Sequence, residues 1–447
     1  MFSDVAHIFS SPNLTKKTSY IYKITLMYYS LVMKFKVTMY IPPNKNCYFS
    51  LVNISQVLIL NILLISSSMT TNASEKFSWQ IATPESKGLD SKILRNLHKE
   101  FEELKHGYIN SFIVIKRNAI VFEEYYDIDY AELTKDKKDE QIRILEKNYG
   151  VHANPMYNYF NPEWHPYYKD TDLHTIQSVT KSVTSALFGI AIDKGYISDI
   201  DSKIVDFFPD YASNFKDKRK QSITIRNLLI MSSGMKWDES THAYTDPRND
   251  AANMENSEFW LEYILSASMD SAPGDEFNYN SGITILLSQI LEQATGTSVE
   301  SFAKKYLFSQ LGIDKFFWKK IPDGLTDTES GLYISARDFA KIGLLFANKG
   351  QWMGKEIISE DWINEIMAPT ILTNYPNTYY GFQWWLYSDV DNKEIWMQAG
   401  IGYGGQHILI IPKYDLLLIF NGWNVFDIER PTSEYLAERV IDAVIEY

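Results

Sequence analysis

The chain has 447 residues, which is enough for one large or two ordinary domains with an ample core. Its formal net charge of −13 at pH 7, with no Lys/Arg-rich stripe to offset it, argues against nucleic-acid binding. The single cysteine, Cys47, excludes an internal disulfide and a thiolate metal cluster, and we expect no metal or cofactor.

The first 77 residues differ in pattern from the rest and predict a leader. Residues 51–65 are strongly apolar, basic residues precede them, and small residues follow up to Ala73. That order resembles an export signal, so we expect a periplasmic or secreted protein. A retained membrane anchor is the second interpretation, although the apolar run is short for a span. The third interpretation is that the start of the chain is mispredicted, in which case we expect a cytoplasmic protein.

From residue 78 to residue 447 the pattern predicts one domain. Helical periodicity covers 91–106, and two strands joined by a tight turn are predicted over 110–126. Residues 131–170 depart from any regular pattern, since a charged half precedes an aromatic half punctuated by prolines. We interpret them either as a lid or binding loop or as an ordered surface excursion with buried aromatic side chains.

The second half of the domain returns from helices to strands. Residues 178–350 are mostly helical in pattern, and a final amphipathic helix is predicted over 432–446. The predicted strands between these regions are 380–387, 394–399, 406–411 and 416–420. Strands at both ends of a helical middle predict an α+β fold, in which one sheet from both termini is flanked by helices and a helical lobe is inserted.

A serine and a lysine three positions apart, Ser178-Val-Thr-Lys181, stand at the start of a long apolar helix pattern. On a helix the two side chains share a face about one turn apart. The lysine can then accept the serine proton, or hold the charge of the group that accepts it. A serine hydroxyl becomes a good nucleophile only beside such a partner, so Ser178 is the candidate nucleophile.

The same spacing is common enough that context must select among the candidates. It also occurs at Ser213, Ser233 and Ser301. Residues 182–193, which follow Ser178, are apolar nearly all round, as in a core helix, and Gly195 offers a C-terminal cap. The N-terminus of that helix would provide N–H groups and a dipole that favour negative charge beside Ser178.

A tyrosine in a turn before a predicted helix is the second candidate. Tyr279 lies in the stretch Phe-Asn-Tyr-Asn-Ser-Gly at 277–282. It can act as a base or a proton shuttle if a cation lowers its pKa from about 10. Tyrosine is abundant in this chain, so packing is the alternative role.

A glycine-rich stretch between two predicted strands is the third candidate. Residues 400–405 fit the spacing G-x-G-x-x-G, but a strand rather than a helix follows, so we reject a dinucleotide site. Glycines that end one strand and open the next allow the backbone to approach a ligand closely. The stretch therefore suits the edge of an oxyanion-binding site.

Together these motifs resemble those of the serine β-lactamase and penicillin-binding-protein superfamily. The motifs are, in order, Ser178-x-x-Lys181, Tyr279-x-Ser281 and a glycine-rich strand start at Gly400. The chain is most similar to class C-like serine hydrolases, including esterases and 6-aminohexanoate-dimer hydrolases. Residues 223–235 and 331–343 support the likeness, which covers about 80–447. It implies the β-lactamase/transpeptidase-like form of the α+β fold.

The resemblance also implies a mechanism. Ser178 attacks an acyl carbonyl and forms an acyl-enzyme that water then hydrolyses. Lys181 and Tyr279 share the serine proton, and Tyr279 delivers it to the leaving group. The backbone N–H groups of Ser178 and Ile401 form the oxyanion hole, which is typically the largest electrostatic contribution.

Two departures from the family pattern bear on the substrate, which we expect to be a small ester or linear amide. Lactam-cleaving members carry Asn where Ser281 stands, and Lys or His where Gln398 stands. Without that cation the site lacks a partner for a substrate carboxylate, which argues against efficient β-lactam hydrolysis. The expected substrate-binding residues are Tyr244, Ser281, Gln398 and Gly400. Trp384 or Trp385 could line the same pocket, with packing an equal alternative.

Other functions remain open at this stage. The sequence has neither a G-x-S-x-G elbow nor an H-E-x-x-H zinc pair. His174 and His407 lie near the motifs, where we expect them to shape the site rather than to catalyse. The alternatives are a D-alanyl-D-alanine carboxypeptidase or β-lactamase-type activity, and a penicillin-binding-like module that binds without turnover.

Overall fold

The computed structural model describes residues 77–150, 154–159, 161, 164–391, 393–425 and 430–445. The predicted leader lies outside these residues, apart from Phe77 at its end. Within the described ranges we find no helix with both the length and the apolar character needed to cross a bilayer.

A nine-stranded sheet forms the centre of the domain, with strands from both ends of the chain side by side. Its strands are β1 (Gln80–Ile81), β2 (Ile109–Lys116), β3 (Ala119–Tyr125), β9 (Ile371–Leu372), β10 (Thr378–Tyr380), β11 (Trp385–Ser388), β12 (Ile395–Gly402), β13 (Gln406–Ile411) and β14 (Leu416–Gly422). Their order is β1-β3-β2-β14-β13-β12-β11-β10-β9. Every neighbouring pair is antiparallel except β1 and β3.

Five short strands form two smaller sheets. They are β4 (His174–Thr175), β5 (Phe317–Trp318), β6 (Leu332–Ile334), β7 (Gln351–Trp352) and β8 (Lys355–Glu356). The strand β6 lies between β4 and β5, and β7 pairs with β8. Strand β4 of the first of these sheets ends at Thr175, shortly before the predicted nucleophile Ser178. The sheet therefore helps to fix where Ser178 lies.

The helices are of unequal length. They are α1 (Ser91–Glu102), α2 (Tyr130–Tyr149), α3 (Thr180–Asp193), α4 (Lys218–Gln221), α5 (Ile225–Leu229), α6 (Asp250–Glu255), α7 (Trp260–Ser266), α8 (Ser281–Thr295), α9 (Val299–Ala303), α10 (Ser309–Leu311), α11 (Ala336–Ala347), α12 (Glu360–Met367) and α13 (Ser433–Ile441). Side-chain caps explain several starts; for example, Asn280 accepts a hydrogen bond from the Ile283 N–H at the start of α8.

The two faces of the large sheet contact different helices because strand side chains alternate between faces. Along β2, Phe112 and Val114 join a cluster with α1 and α13. Ile113 and Ile115 point to the opposite face and join the larger cluster, which contains α3, α8 and α11. Helices α4 to α10 form the inserted lobe, and α8 packs against α3 within the larger core.

The predicted α+β fold is confirmed, and so is the hairpin at 110–126. Arg117 and Asn118, at its turn, have φ of 48° and 62°. Positive φ at both central residues is the geometry of a type I′ turn, one of the two favoured two-residue hairpin turns.

Four predicted boundaries are wrong. Most of the first half of 131–170 is the helix α2, rather than a segment without regular structure. Residues 380–387 are not one strand, because β10 ends at Tyr380 and a turn precedes β11. The first and the last helix end earlier than predicted, at Glu102 and at Ile441. The aromatic half of 131–170 fits the ordered alternative, since Tyr157 and Tyr159 are buried.

Candidate active site

Ser178 lies in a tight 3-10 turn, Gln177–Val179, that leads directly into α3. Gln177 has a φ of 45°, in the left-handed region that non-glycine residues rarely adopt. The side chain of Gln177 donates a hydrogen bond to Thr175 Oγ1 at 3.1 Å, which ties the turn to β4. Gln177 and Val179 are buried, whereas Ser178 is only half-buried. The turn thus leaves the Ser178 side chain accessible.

Lys181 lies in the first turn of α3 with its ammonium group directed at the serine. Its Nζ is 3.1 Å from Ser178 Oγ, 3.0 Å from the main-chain oxygen of Glu329 and 3.2 Å from Glu329 Oε2. The Lys181 and Glu329 side chains are only 1% and 3% exposed. Burial lowers the pKa of Lys181, but Tyr279 in its ionised form, Glu329 and Glu239 raise it by more, so the net shift is upward. Lys181 is therefore an ammonium ion in the resting site.

Tyr279 completes the group of three that the sequence predicted. It is half-buried in the turn before α8, and Lys181 Nζ lies 5.3 Å from its ring centroid. Burial raises the pKa of Tyr279 above its ordinary value, whereas the Lys181 charge and hydrogen bonding with Ser178 and Lys181 lower it. The expected cation is thus present and acts in the expected direction, but burial outweighs it. The resting side chain is a neutral phenol.

Glycines of β12 bring this strand against the turn of the nucleophile. A β-carbon at Gly400 would stand 2.8 Å from Val179 Cγ1, and one at Gly402 would stand 2.5 Å from the main-chain oxygen of Ile176. Strand β12 also continues past its last pairing with β11, at Ala399, so its residues 400–402 pair with β13 alone. The backbone of Ile401 therefore lies on a strand edge beside the Ser178 turn.

Glu239 is a buried carboxyl group that the motif analysis missed. It accepts hydrogen bonds from the Ser281 N–H at 2.7 Å and from Ser281 Oγ at 2.8 Å. Trp237 Nε1 donates to it at 2.6 Å. Burial raises the pKa of Glu239, although Lys181 acts in the opposite direction. Glu239 anchors the start of α8 and hence the turn that carries Tyr279.

Glu329 is the second residue that the motif analysis missed. Besides its contacts with Lys181, it accepts a hydrogen bond from Ser330 Oγ at 2.8 Å through Oε1. Its own N–H donates to Asp327 Oδ1 at 3.1 Å. The one available sequence signal was its position two residues before the supporting stretch 331–343.

The four predicted substrate-binding residues lie at different depths. Tyr244 is half-buried; its hydroxyl lies 3.4 Å from Glu239 Oε1 and its ring lies 5.1 Å from that of Tyr403. Ser281 is buried and engaged by Glu239, and Gly400 lies against the turn of the nucleophile. Gln398 is 1% exposed, and its Nε2 has no hydrogen-bond partner within the described part of the chain. Only Tyr244 is therefore accessible as a side chain; the binding roles of all four remain predictions.

An aromatic wall extends from Tyr279 towards solvent. Trp385 is half-buried and stacks on Tyr279, and the Tyr375 ring contacts Trp385 edge-on at 5.8 Å. Tyr375 is 58% exposed. Trp384, by contrast, is fully buried and packs on Phe346 in the core. Of the two tryptophans considered from the sequence, Trp385 is thus the one beside the candidate site.

Both histidines near the motifs are buried and neutral. His174 Nδ1 lies 2.7 Å from the Thr175 carbonyl oxygen, and burial lowers the pKa of His174 to about 4. His407 Nδ1 lies 3.1 Å from Ser433 Oγ of α13, and burial together with Arg430 lowers the pKa of His407 to about 3. Across the described ranges, no cluster of three or more His, Cys, Asp or Glu residues is arranged to hold a metal ion.

The chain is similar to known proteins over most of the described domain. A model of the Beta-lactamase family matches residues 111–432. The 6-aminohexanoate-dimer hydrolase of Paenarthrobacter ureafaciens is 24% identical over 269 residues, which cover 56% of this chain and 65% of that protein. The chain therefore spans slightly less than two thirds of the length of this relative.

Solved structures extend the likeness over more of the fold. A penicillin-binding protein from Bacillus halodurans is 17% identical with a TM-score of 0.53, covering 78% of this chain and 98% of that one. A family VIII carboxylesterase is 16% identical with a TM-score of 0.55, covering 82% and 98%. At these identities the comparison shows a shared fold.

Proposed function

The chain belongs to the Beta-lactamase family, and from that premise we propose that it is a serine hydrolase that cleaves an ester or a linear amide through an acyl-enzyme on Ser178. Hydrolases with this fold include esterases and amidases. The observation that carries the proposal is the 3.1 Å contact between Lys181 Nζ and Ser178 Oγ in a turn that leaves Ser178 accessible.

The proposed reaction uses each group at a definite point. Ser178 Oγ attacks the substrate carbonyl carbon as its proton passes to the Lys181/Tyr279 pair. The electron pair of the carbonyl moves to its oxygen, which the N–H groups of Ser178 and Ile401 receive. Tyr279 then protonates the leaving group, and water releases the acyl group from Ser178. The glycine contacts of β12 support this role for Ile401, because they bring its backbone close to Ser178.

The proposed substrate is neutral, with an apolar or aromatic group. Gln398 supplies no positive charge for a substrate carboxylate, and the carboxyl groups of Glu239 and Glu329 lie behind the site. The segment 368–380, which carries Tyr375, contains no charged residue. Planar aromatic rings favour stacking against aromatic or flat apolar groups, so the wall of Tyr375 and Trp385 suits such a substrate.

The test is hydrolysis of a short-chain p-nitrophenyl ester by the full chain. We expect Ser178→Ala to lower kcat/KM by about 10³-fold or more while thermal unfolding stays unchanged. Ser301→Ala is the matched control, because Ser301 has the same spacing to a lysine but is exposed on α9. Activity that survives in Ser178→Ala would place the nucleophile elsewhere. No turnover of esters, amides or lactams would favour the binding module, and acylation of Ser178 by a fluorescent penicillin would favour the carboxypeptidase.

A further inference from the structure

We propose that Glu329 is a positioning residue that holds Lys181 as an ammonium ion beside Ser178, and so sets the pH at which the Lys181/Tyr279 pair can take up the serine proton. This inference rests on the proposed function, since it concerns the proton balance of that pair within the reaction. It concerns a residue outside the three motifs that carry the resemblance.

The contacts around Lys181 support this assignment. Three oxygen atoms lie within hydrogen-bond distance of Nζ, namely Ser178 Oγ, the Glu329 carbonyl oxygen and Glu329 Oε2. An ammonium group has three N–H donors, so it can donate to all three at once. A neutral amine could donate to the two Glu329 oxygens and accept the Ser178 hydroxyl proton on its lone pair. The carboxylate of Glu329, 3.2 Å from Nζ, favours the ammonium form of the two.

Burial makes the charge of Glu329 important for Lys181. The two side chains are 1% and 3% exposed, so solvent screens their attraction little. A buried cation without a nearby anion loses much of its stability and tends to release its proton. Glu329 opposes that release from a distance of 3.2 Å, and its second oxygen is fixed by Ser330 Oγ.

The remaining neighbours define the charge balance. Tyr279 and Glu239 also act on Lys181, from the turn before α8 and from the loop after α5. Behind Glu329 lie Asp327 and Glu255, whose pKa values are raised first by burial and then by Glu329 itself, whereas Lys319 lowers them. Glu329 differs from these two acids because it contacts Lys181 directly.

The charged form of Lys181 constrains the serine proton. When Ser178 Oγ accepts an N–H from Lys181, the single hydroxyl proton of Ser178 points to another acceptor. In the step itself the Ser178 O–H bond breaks, its proton passes to the Lys181/Tyr279 pair after that pair has lost one proton, and the Ser178 oxygen bonds to the carbonyl carbon.

This assignment predicts the effect of Glu329→Gln on the pH profile. The Lys181/Tyr279 pair must lose one proton before it can accept another, and the Glu329 anion opposes that loss. Removing the anion should move the ascending limb of the profile to lower pH, by about one unit or more.

The experiment measures the rate at which a fluorophosphonate probe labels Ser178 in the full chain, as a function of pH. Glu255→Gln is the matched control: Glu255 is equally buried, and its carboxyl group interacts with Tyr159 at 3.4 Å. We expect a downward shift in Glu329→Gln and the wild-type midpoint in Glu255→Gln. If thermal unfolding shows that Glu329→Gln is not folded, Glu329→Asp replaces it. For that variant we expect a smaller shift of the midpoint in the same direction.

The outcomes separate this inference from the proposed function. A folded Glu329 variant that labels more slowly with an unchanged midpoint would overturn the inference, because a purely structural role lowers the rate alone. An equal shift in Glu255→Gln would also overturn it, since the effect would then be a general one of buried charge. A wild-type chain that neither reacts with the probe nor hydrolyses any ester would instead refute the proposed function, and the inference with it.

Discussion

The ring of Tyr279 lies nearly parallel to that of Trp385, with centroids 5.6 Å apart and planes 21° apart. The stacking holds the phenol in place without involving its hydroxyl group. The packing of residue 279 and its proposed chemistry can therefore be tested separately.

Tyr279→Phe should abolish most activity without unfolding the protein. Phenylalanine keeps the stacked ring and removes only the hydroxyl, so we expect kcat to fall by about 10²–10⁴-fold, the usual contribution of a proton-transfer group. Ester hydrolysis and thermal unfolding measure the two effects. A variant with wild-type kcat would show that the proton of Ser178 does not pass through residue 279.

Trp385→Ala should change substrate preference more than activity in general. We expect kcat/KM for phenylacetyl or benzoyl esters to fall about five- to tenfold relative to acetyl esters, since a lost aromatic contact costs about 1 kcal/mol. Trp396→Ala is the control, because Trp396 is also half-buried but packs in the cluster of α1 and α13. An equal fall for all esters would argue against an aromatic subsite.

Gly400→Ala should impair both stability and catalysis. The added methyl group would stand 2.8 Å from Val179 Cγ1, and such overpacking costs about 1–3 kcal/mol. Relief of the clash moves β12 away from the Ser178 turn, so kcat should fall as well. Gly343→Ala offers a similar clash, 2.7 Å from Leu417 Cδ1, away from the Ser178 turn. The Gly343→Ala variant should lose stability and keep the wild-type kcat. An equal loss of kcat in both variants would contradict the role given to β12.

His407→Gln should make stability less dependent on pH in acid. The pKa of His407 is about 3 in the folded protein, against about 6.5 when exposed. Between these values the unfolded chain binds a proton that the folded chain does not, so stability falls as the pH falls from 6.5 to 3. The variant removes this contribution, which is about 1.4 kcal/mol for each pH unit. Urea unfolding at pH 4 and pH 7 measures it, and an unchanged difference between the two would show that His407 is accessible to protons.

The parts of the fold that local pattern controls were predictable. Two strand-like runs joined by a tight turn identified the hairpin at 110–126, and the structure places the turn residues at Arg117 and Asn118. The helix α2 was missed because its described buried side chains are only Tyr130 and Leu145, so no apolar stripe marks it. Its start did carry a signal, since Asp129 caps the first turn by accepting the Glu132 N–H.

Only part of the candidate site was predictable from the sequence. The spacing of Ser178 and Lys181, and the turn that carries Tyr279 before a predicted helix, gave three residues that the structure brings together. Glu239 and Glu329 lie in loops without periodicity, and their importance comes from contacts with residues distant in sequence. No local pattern distinguishes such a carboxyl group from a solvated one. Burial, which the sequence does not reveal at these positions, makes the difference.

The pairing of β2 with β14 has a consequence for biosynthesis. Lys116 faces Leu416 across these strands, so β2 cannot complete its pairing until the distant strand β14 has been made. Until then β2 has a bare edge, and β12 has no completed sheet to hold it against the Ser178 turn. The position of the candidate nucleophile is therefore established only after β14 has left the ribosome.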